Sequence, residues 1–207
     1  VYQLSHSDQL ERSISTYELS PSMEKRPEET REKLSLRFFP EGGQLVEGIT
    51  SQVAFKAESK NEGNIQLSGT LYTKEGQEIT SFETLHDGMG AFEYTPSALP
   101  AIAKVNFQGK QYEFTLPKAL PSGYILKVGN NAGAISVTVS CNAATPQDTL
   151  AVFISHQGRP HAYQLIHCQA NKPQQFTVLS RKLPAGVLQI SLLNRAGNTL
   201  CDRFIFA

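Results

Sequence analysis

The 207-residue sequence contains no tryptophan, and none of its apolar runs approaches the roughly 18 residues of a membrane span. Tryptophan is the usual stacking surface for a sugar ring, so its absence weakens a carbohydrate-binding interpretation. Acidic and basic residues are equal in number, 19 of each, so no net charge would recruit nucleic acid or an anionic membrane. We therefore expect neither nucleic-acid binding nor direct membrane insertion.

Cysteine is also scarce, with three residues at Cys141, Cys168 and Cys201. Their number is odd and no CxxC spacing occurs, so the sequence indicates neither a disulfide framework nor a structural zinc site. Because one bridge at most can form and cysteine is among the most buried residue types, we predict core thiols that are not all paired. The spacing leaves open which two, if any, would form a bridge.

Motifs for catalysis and metal binding are missing as well. No GxSxG nucleophile elbow occurs, and no stretch shows the helical periodicity that α/β enzymes need. His156, His161 and His167 lie near Cys168 and suggest a metal site. However, His161 and His167 would lie about 20 Å apart on one extended strand, too far to share an ion without a bend. We predict no metal, no cofactor, no catalytic residue and hence no enzymatic activity.

Glycine and proline are plentiful, with 15 and 11 residues, and they separate short stretches of alternating apolar residues from position 34 onward. This pattern is typical of antiparallel β-sandwiches. In the first half it predicts strands at 34–39, 51–58, 64–73, 77–84, 90–95, 101–107 and 111–116. In the second half it predicts strands at 123–129, 133–141, 149–156, 160–168, 174–180, 186–193 and 199–206. We therefore predict an all-β chain of two tandem, seven-stranded immunoglobulin-like sandwiches.

Turn residues and buried positions follow from the same pattern. His86 and Asp87 could form an acid–base pair, but a hairpin turn at Asp87 and Gly88 explains them, because a short carboxylate bonds to nearby backbone there. Another turn is expected at 129–131. Alternate apolar positions in the second sandwich predict a core of Val137, Val139, Val152, Ile154, Ile190 and Leu192.

The composition changes along the chain and divides it into parts. We predict a linker or the end of a preceding module at 1–33, one sandwich at 34–118 and a second sandwich at 122–207. No initiator methionine or signal peptide precedes Val1, so we interpret the chain as an internal segment of a larger protein.

The connection between the two predicted sandwiches is short. Pro117 and Pro121 restrict it, so we expect it to be stiff and extended. Leu116, Leu120 and Tyr124 are apolar residues in or beside this connection. We expect them to be buried where the two sandwiches meet.

Several stretches resemble one known family. Residues 38–46 (FFPEGGQLV), together with Gly48, 53–57 (VAFKA) and 85–92 (LHDGMGAF), resemble the macroglobulin-type β-sandwich module, related to α2-macroglobulin, of large Gram-negative cell-envelope proteins. Residues 183–191 (LPAGVLQIS) and 197–206 (GNTLCDRFIF) resemble the last two strands of the next such module.

The likeness depends on a set of structural positions that we call the signature residues. They are Phe38, Phe39, Pro40, Glu41, Gly42, Gly43, Asp87, Gly88, Gly90, Pro184 and Gly186. Glu41 is the charged residue in the first stretch, and we expect its carboxylate to accept a hydrogen bond from backbone at the bend that Gly42 and Gly43 allow. Contact with a ligand is the alternative role for Glu41.

The resemblance implies modules that stand in series. Related modules occur in α2-macroglobulin-like protease inhibitors and ahead of carboxypeptidase-regulatory-like and TonB-receptor plug domains. Protease traps of this family use a Cys-Gly-Glu-Gln thioester, whereas the cysteines here precede Asn142, Gln169 and Asp202. The trap chemistry is absent from this segment, so an inhibitory role would depend on a thioester elsewhere in the parent protein.

The resemblance implies a non-enzymatic spacer and protein-interaction scaffold in a periplasmic or cell-surface, outer-membrane-associated protein. The expected partners are neighbouring domains of the same parent chain and an envelope protein or peptide. The alternative is a ligand-binding module that takes a peptide by strand addition at an exposed sheet edge, or takes a glycan. The sequence does not indicate an oligomeric state.

Overall fold

The chain is built almost entirely of extended segments where its structure is described. A computed structural model describes residues 34–131 and 133–207, so the linker predicted at 1–33 lies outside the described residues. The first half contains β1 (Leu34–Pro40), β2 (Ser51–Ser59), β3 (Gly63–Asn64), β4 (Ser68–Tyr72), β5 (Glu78–Glu83), β6 (Met89–Tyr94), β7 (Ile102–Phe107) and β8 (Lys110–Thr115). The second half contains β9 (Tyr124–Asn131), β10 (Ala134–Cys141), β11 (Asp148–His156), β12 (Arg159–Cys168), β13 (Gln174–Leu179), β14 (Val187–Leu193) and β15 (Thr199–Phe206).

Helical structure is limited to two single turns in this part of the chain. They are 3-10 turns at Glu41–Gly43 and Ser180–Lys182. Neither is remotely long or apolar enough to cross a bilayer.

In the first half, two antiparallel sheets share one hydrophobic core. The strand β2 pairs with β1 along one edge and with β6 and the short β3 along the other. The second sheet has the order β5-β4-β7-β8. Val53, Phe55 and Ala57 of β2 are buried, and the ring centroid of Phe55 lies 5.0 Å from that of Phe82 on the second sheet. Successive side chains of a strand point to opposite faces, which is why the alternating sequence predicted this core.

The single strand predicted at 64–73 is wrong, because the chain changes sheets within it. Ile65 N–H donates to the Ala57 carbonyl, at the end of β2, over 3.3 Å. Two residues later, Leu67 N–H donates to the Thr84 hydroxyl over 2.9 Å, and Thr84 N–H donates to the Leu67 carbonyl. Both apolar side chains remain buried. The apolar pattern therefore continues across a segment whose backbone partners switch from one sheet to the other.

The second half forms another sandwich with its own core. One sheet has the order β13-β10-β9 and the other the order β12-β11-β14-β15, with antiparallel pairs throughout. The predicted core residues are at most 1% exposed: Val137, Val139, Val152, Ile154, Ile190 and Leu192. This burial confirms the core prediction, and the sheets confirm the fold class of two tandem β-sandwiches.

The turn predicted at 129–131 is wrong. The strand β9 continues to Asn131, which pairs with Ala134 across the hairpin. Gly133 has a φ of 91°, a conformation that glycine adopts without a steric penalty. The reversal therefore takes place two residues later than the two asparagines suggested.

Candidate functional site: the junction between the two sandwiches

The connection between the sandwiches is hydrogen-bonded to the segment that follows β1. Leu120 N–H donates to the Leu45 carbonyl over 2.8 Å, and Glu47 N–H donates to the Leu120 carbonyl over 3.0 Å. These bonds form an isolated parallel bridge between Val46 and Leu120. The connection is thus held against the first sandwich through its backbone, and both sandwiches belong to one compact unit.

This bridge corrects the expectation about the apolar residues of the connection. Leu116 is buried, but it lies in the core of the first sandwich. The side chain of Leu120 is 41% exposed, so its predicted burial is wrong. Tyr124 is half-buried against the second core. The main chain of Leu120 makes the contact, while its side chain stays partly exposed.

The turn Glu41–Gly43 packs against β9 and β15 of the second sandwich. Gly42 has a φ of 79°, and a Cβ atom there would lie 3.5 Å from the carbonyl oxygen of Leu126 and 4.0 Å from Cys201 Cβ. Backbone from the two sandwiches therefore meets at this point. The positive φ values of Gly42 and Gly43, 79° and 87°, allow the bend that brings the two backbones together.

Glu41 carries a buried charge into this contact. Its side chain is 5% exposed, and its Oε1 atom lies 3.6 Å from Nη2 of Arg203 on β15. The other carboxylate oxygen of Glu41 and Nε of Arg203 are buried without a hydrogen-bond partner. The predicted hydrogen bond from backbone at the bend is replaced by this ion pair between the sandwiches.

Asn142, directly after β10, connects three parts of the chain. Its side-chain amide donates to the Glu47 carbonyl over 3.0 Å and to the Pro121 carbonyl over 2.8 Å. Its Oδ1 atom lies 2.7 Å from the Thr145 hydroxyl. That hydroxyl also accepts a hydrogen bond from Gly123 N–H over 2.8 Å. One asparagine side chain therefore links the first sandwich, the connection and the second sandwich.

We use the term junction for Glu41, Gly42, Gln44, Val46, Glu47, Leu120, Pro121, Gly123, Tyr124, Asn142, Thr145 and Arg203. Gln44 completes the polar network, since its side-chain amide donates to the Tyr124 carbonyl over 3.3 Å. Asn142 and Thr145 are 9% and 5% exposed. Buried hydrogen-bonding groups are costly to leave unpaired, so this network disfavours separation of the two sandwiches.

The structure brings only part of the signature residues to the junction. Glu41 and Gly42 lie there, whereas Asp87, Gly88 and Gly90 belong to the β5–β6 part of the first sandwich, away from the junction. Asp87 and Gly88 have φ values of 47° and 71° and form the two-residue turn that leads into β6. Pro184 and Gly186 precede β14, where Gly186 pairs with Ala207 through two backbone hydrogen bonds of 3.0 Å. Of the remaining residues, Phe38 packs against the first core and Phe39 is 52% exposed.

Sequence reasoning missed Asn142, Thr145 and Arg203. An asparagine followed three residues later by threonine, directly after an apolar strand, is a turn signal that could have pointed to the first two. Arg203 gave no local signal, because its partner Glu41 lies in the other sandwich.

The histidines do not converge on one point. His161 and His167 stay on the same strand, β12, while the rings of His156 and His161 lie 6.1 Å apart across the hairpin. Within 34–131 and 133–207, no group of three or more histidine, cysteine or acidic side chains is arranged to hold a metal ion. His86 and Asp87 are in contact at 3.1 Å, but both side chains are mostly exposed on the hairpin turn.

A polar groove lies on the outer face of the β5-β4-β7-β8 sheet. Its volume is about 650 Å³, and Tyr72, Lys104, Asn106 and Gln111 contribute to its wall. The Lys104 ammonium lies 5.4 Å from the ring centroid of Tyr72. This cation–π contact lies on one face of the Tyr72 ring.

Cys201 lies beside the junction and is 5% exposed. Burial, and to a lesser extent the Asp202 carboxylate, raises the pKa of the Cys201 thiol to about 12. The folded state therefore favours the neutral thiol more strongly than the unfolded state does. The stabilising contribution is complete below the unfolded pKa near 9 and is lost as the pH rises toward 12.

Because of this thiol, we expect the free energy of unfolding to fall by about 1–1.5 kcal/mol when the pH is raised from 8 to 10. Urea unfolding at a series of pH values measures the loss. The matched variant Cys201→Ala should lack this part of the pH dependence, although other groups still titrate. Equal pH dependence in both proteins would show that the buried thiol makes no such contribution.

No protein-family model matches the chain, and no curated protein matches its sequence. Among solved structures, the native α2-macroglobulin of E. coli matches with 13% identity and a TM-score of 0.29 over 84% of this chain and 14% of that chain. Salmonella α2-macroglobulin reacted with methylamine matches with 9% identity and a TM-score of 0.30, over 85% and 17%.

The Yersinia pseudotuberculosis adhesin InvE matches with 15% identity and a TM-score of 0.30, over 86% of this chain and 60% of that chain. In each case this chain spans less than two thirds of the matched chain. The chain is a tandem of two β-sandwiches that meet at a hydrogen-bonded junction.

Proposed function

We propose that this chain is a non-enzymatic spacer and protein-interaction scaffold within a larger, periplasmic or cell-surface protein. Its modules, 34–118 and 122–207, would hold the neighbouring domains of the parent chain at a set distance and angle. An envelope protein or peptide is the expected external partner. The resemblance to macroglobulin-type modules supports the cellular setting, including a position ahead of carboxypeptidase-regulatory-like or plug domains.

The observation that supports this function most directly is the Asn142 side chain, which bonds to Glu47 and Pro121 at once. A spacer can fix the arrangement of the domains on either side only if its own modules do not rotate freely. Neighbouring domains of one chain move relative to each other unless their interface restrains them. Several buried hydrogen bonds, each with a net contribution of about 0.5–1.5 kcal/mol, provide that restraint here.

The test is Asn142→Ala, which leaves the Glu47 and Pro121 carbonyls without their shared donor. We expect small-angle scattering to show a broader range of dimensions for Asn142→Ala than for the unaltered chain, because the sandwiches then sample several orientations. Secondary structure by circular dichroism should be unchanged.

Asn130→Ala is the matched control. The Asn130 side chain also donates to a backbone carbonyl, that of Phe206, but it does so at the end of β9 remote from the junction. We expect its scattering profile to equal that of the unaltered chain. If Asn142→Ala and Asn130→Ala scatter alike, Asn142 does not restrain the junction and the spacer proposal loses its main support.

A ligand-binding module is the second candidate, and the edge strand β12 favours its peptide form. Among the strands of residues 34–131 and 133–207, β12 pairs with β11 alone, and it presents Tyr163 and Leu165, which are 69% and 59% exposed. A free strand edge can accept an extended peptide as an additional strand. Screening on peptide and glycan arrays separates the candidates: reproducible glycan binding would overturn the scaffold proposal, whereas β12-dependent peptide binding would specify it.

The remaining alternative is a segment of an α2-macroglobulin-like protease inhibitor. This chain would then contribute structure, because the cysteines lack the thioester sequence. Protease inhibition would require a thioester in another part of the parent protein.

A further inference from the structure

Cys141 and Cys168 come together although they lie on different sheets of the second sandwich. Cys141 is the last residue of β10, and Cys168 is the last residue of β12. Both are buried, and the Cys168 thiol donates to the sulfur of Cys141 over 2.8 Å. All three cysteines are free thiols in the structure. Cys201 lies near Gly42 of the junction and near Leu126 of β9, away from the other two sulfur atoms.

The backbone around the two cysteines is fixed by independent contacts. Cys141 pairs with Tyr124 of β9, and Cys168 pairs with Asp148 of β11. Asn171 N–H, in the turn after β12, donates to the Cys141 carbonyl over 3.0 Å. The two strand ends therefore approach each other as part of the fold, so the thiols can be joined with small side-chain adjustments.

We propose that Cys141 and Cys168 form a disulfide bond between the two sheets when the chain folds in an oxidising compartment, while Cys201 remains a free thiol. The oxidant is a disulfide of the thiol–disulfide exchange class, either a protein dithiol oxidase or a low-molecular-weight disulfide. The proposal is independent of the spacer function.

The bond forms by thiol–disulfide exchange in two steps. One cysteine thiolate attacks the oxidant disulfide, which forms a mixed disulfide and releases one oxidant sulfur as a thiolate. The second cysteine thiolate then attacks the mixed disulfide, which closes the bond between Cys141 and Cys168 and releases the other oxidant sulfur. Two electrons pass to the oxidant, and the two protons that the cysteines lose are available to its thiolates.

Burial determines when this exchange can take place. In the folded chain, burial and the hydrogen bond with Cys141 raise the pKa of the Cys168 thiol well above its ordinary value. A buried neutral thiol reacts slowly, since the thiolate is the nucleophile. Oxidation is therefore expected during folding, before the two sheets close over the sulfur atoms, and the completed bond is shielded from reductants.

The bond would also stabilise the region next to the junction. It would close a loop with a sequence separation of 27 residues, which lowers the conformational entropy of the unfolded chain. It would join the sheets directly beside Asn142, whose side chain links the sandwiches. We expect the oxidised chain to melt roughly 10 °C above the same chain refolded with reductant.

The experiment uses the full 207-residue chain. The chain is refolded at pH 8 with oxidised and reduced glutathione, denatured with a maleimide present and without reductant, and then digested. The expected result is one labelled thiol per chain, at Cys201, with a linked pair of peptides that contain Cys141 and Cys168. Three labelled thiols, or a bond that includes Cys201, would overturn the proposal.

Two variants test whether the bond stabilises the fold. Cys201→Ala should keep the difference in melting temperature between oxidised and reduced samples, because both bonded cysteines remain. The double variant Cys141→Ala, Cys168→Ala should melt at the same temperature under both conditions. A different result would be that the linked peptides show the bond between Cys141 and Cys168 while the oxidised and reduced samples of the unaltered chain have the same melting temperature. That result would refute the stabilising role of the bond.

Discussion

Replacing Gly88 with alanine is expected to lower the free energy of unfolding by about 3 kcal/mol. Gly88 has a φ of 71°, which costs an alanine about 1–2 kcal/mol. A Cβ atom there would also lie 2.4 Å from the Ala57 carbonyl oxygen of β2. This contact is with backbone that cannot rotate away, and overpacking of this kind costs about 1–3 kcal/mol more.

Gly76→Ala is the matched control for that substitution. Gly76 has a similar φ of 88°, but a Cβ atom there would have no atom within 4 Å. Gly76→Ala should therefore lower the free energy of unfolding by only about 1 kcal/mol, which is the cost of the backbone conformation. Urea unfolding followed by circular dichroism measures both losses. Equal losses would mean that the hairpin turn does not pack against β2 as described.

The second large effect is expected at the junction, from Arg203→Met. The substitution leaves the Glu41 carboxylate, which is 5% exposed, without the guanidinium that faces it. Removing one member of a fully buried pair costs about 3–5 kcal/mol, and the partial exposure of Arg203 reduces this to about 2 kcal/mol. We expect Arg203→Met to lower the free energy of unfolding, as measured with urea, by this amount. We also expect the two sandwiches to move more freely relative to each other.

Two comparisons make this result specific. The double variant Glu41→Gln, Arg203→Met removes both charges and should recover much of the stability, since no buried charge then lacks a partner. Arg37→Met removes an arginine from an exposed pair with Glu58, on β1 and β2, and should change stability little. If Arg37→Met and Arg203→Met have the same effect, the burial of Glu41 at the junction has no energetic consequence.

The sequence allowed much of the fold to be predicted, because a strand buries every second residue. Val137 and Val139 could be assigned to the core from this alternation alone. The predicted strand at 64–73 was wrong for a related reason. Apolar alternation predicts which residues are buried, and Ile65 and Leu67 are indeed both buried. It does not predict which strand their backbone groups bond to.

The junction was less accessible to sequence reasoning. The short connection around Pro117 and Pro121 was predicted. However, Glu41 and Arg203 lie in different sandwiches, and Asn142 contacts Glu47 across a sequence separation of 95 residues. No local sequence pattern identifies pairs that lie so far apart in the chain. Leu120 shows the same limit, since its apolar side chain suggested burial while its main chain makes the contact.

The most direct measurement is of residual dipolar couplings for backbone amides in the unaltered chain, fitted separately for residues 34–118 and 122–207. A junction of fixed geometry predicts that both sets yield one alignment tensor with the same magnitude and orientation, and that the fitted orientation reproduces the contact between Asn142 and Glu47. Two tensors of clearly different magnitude would show that the sandwiches reorient independently, which would contradict a stiff spacer.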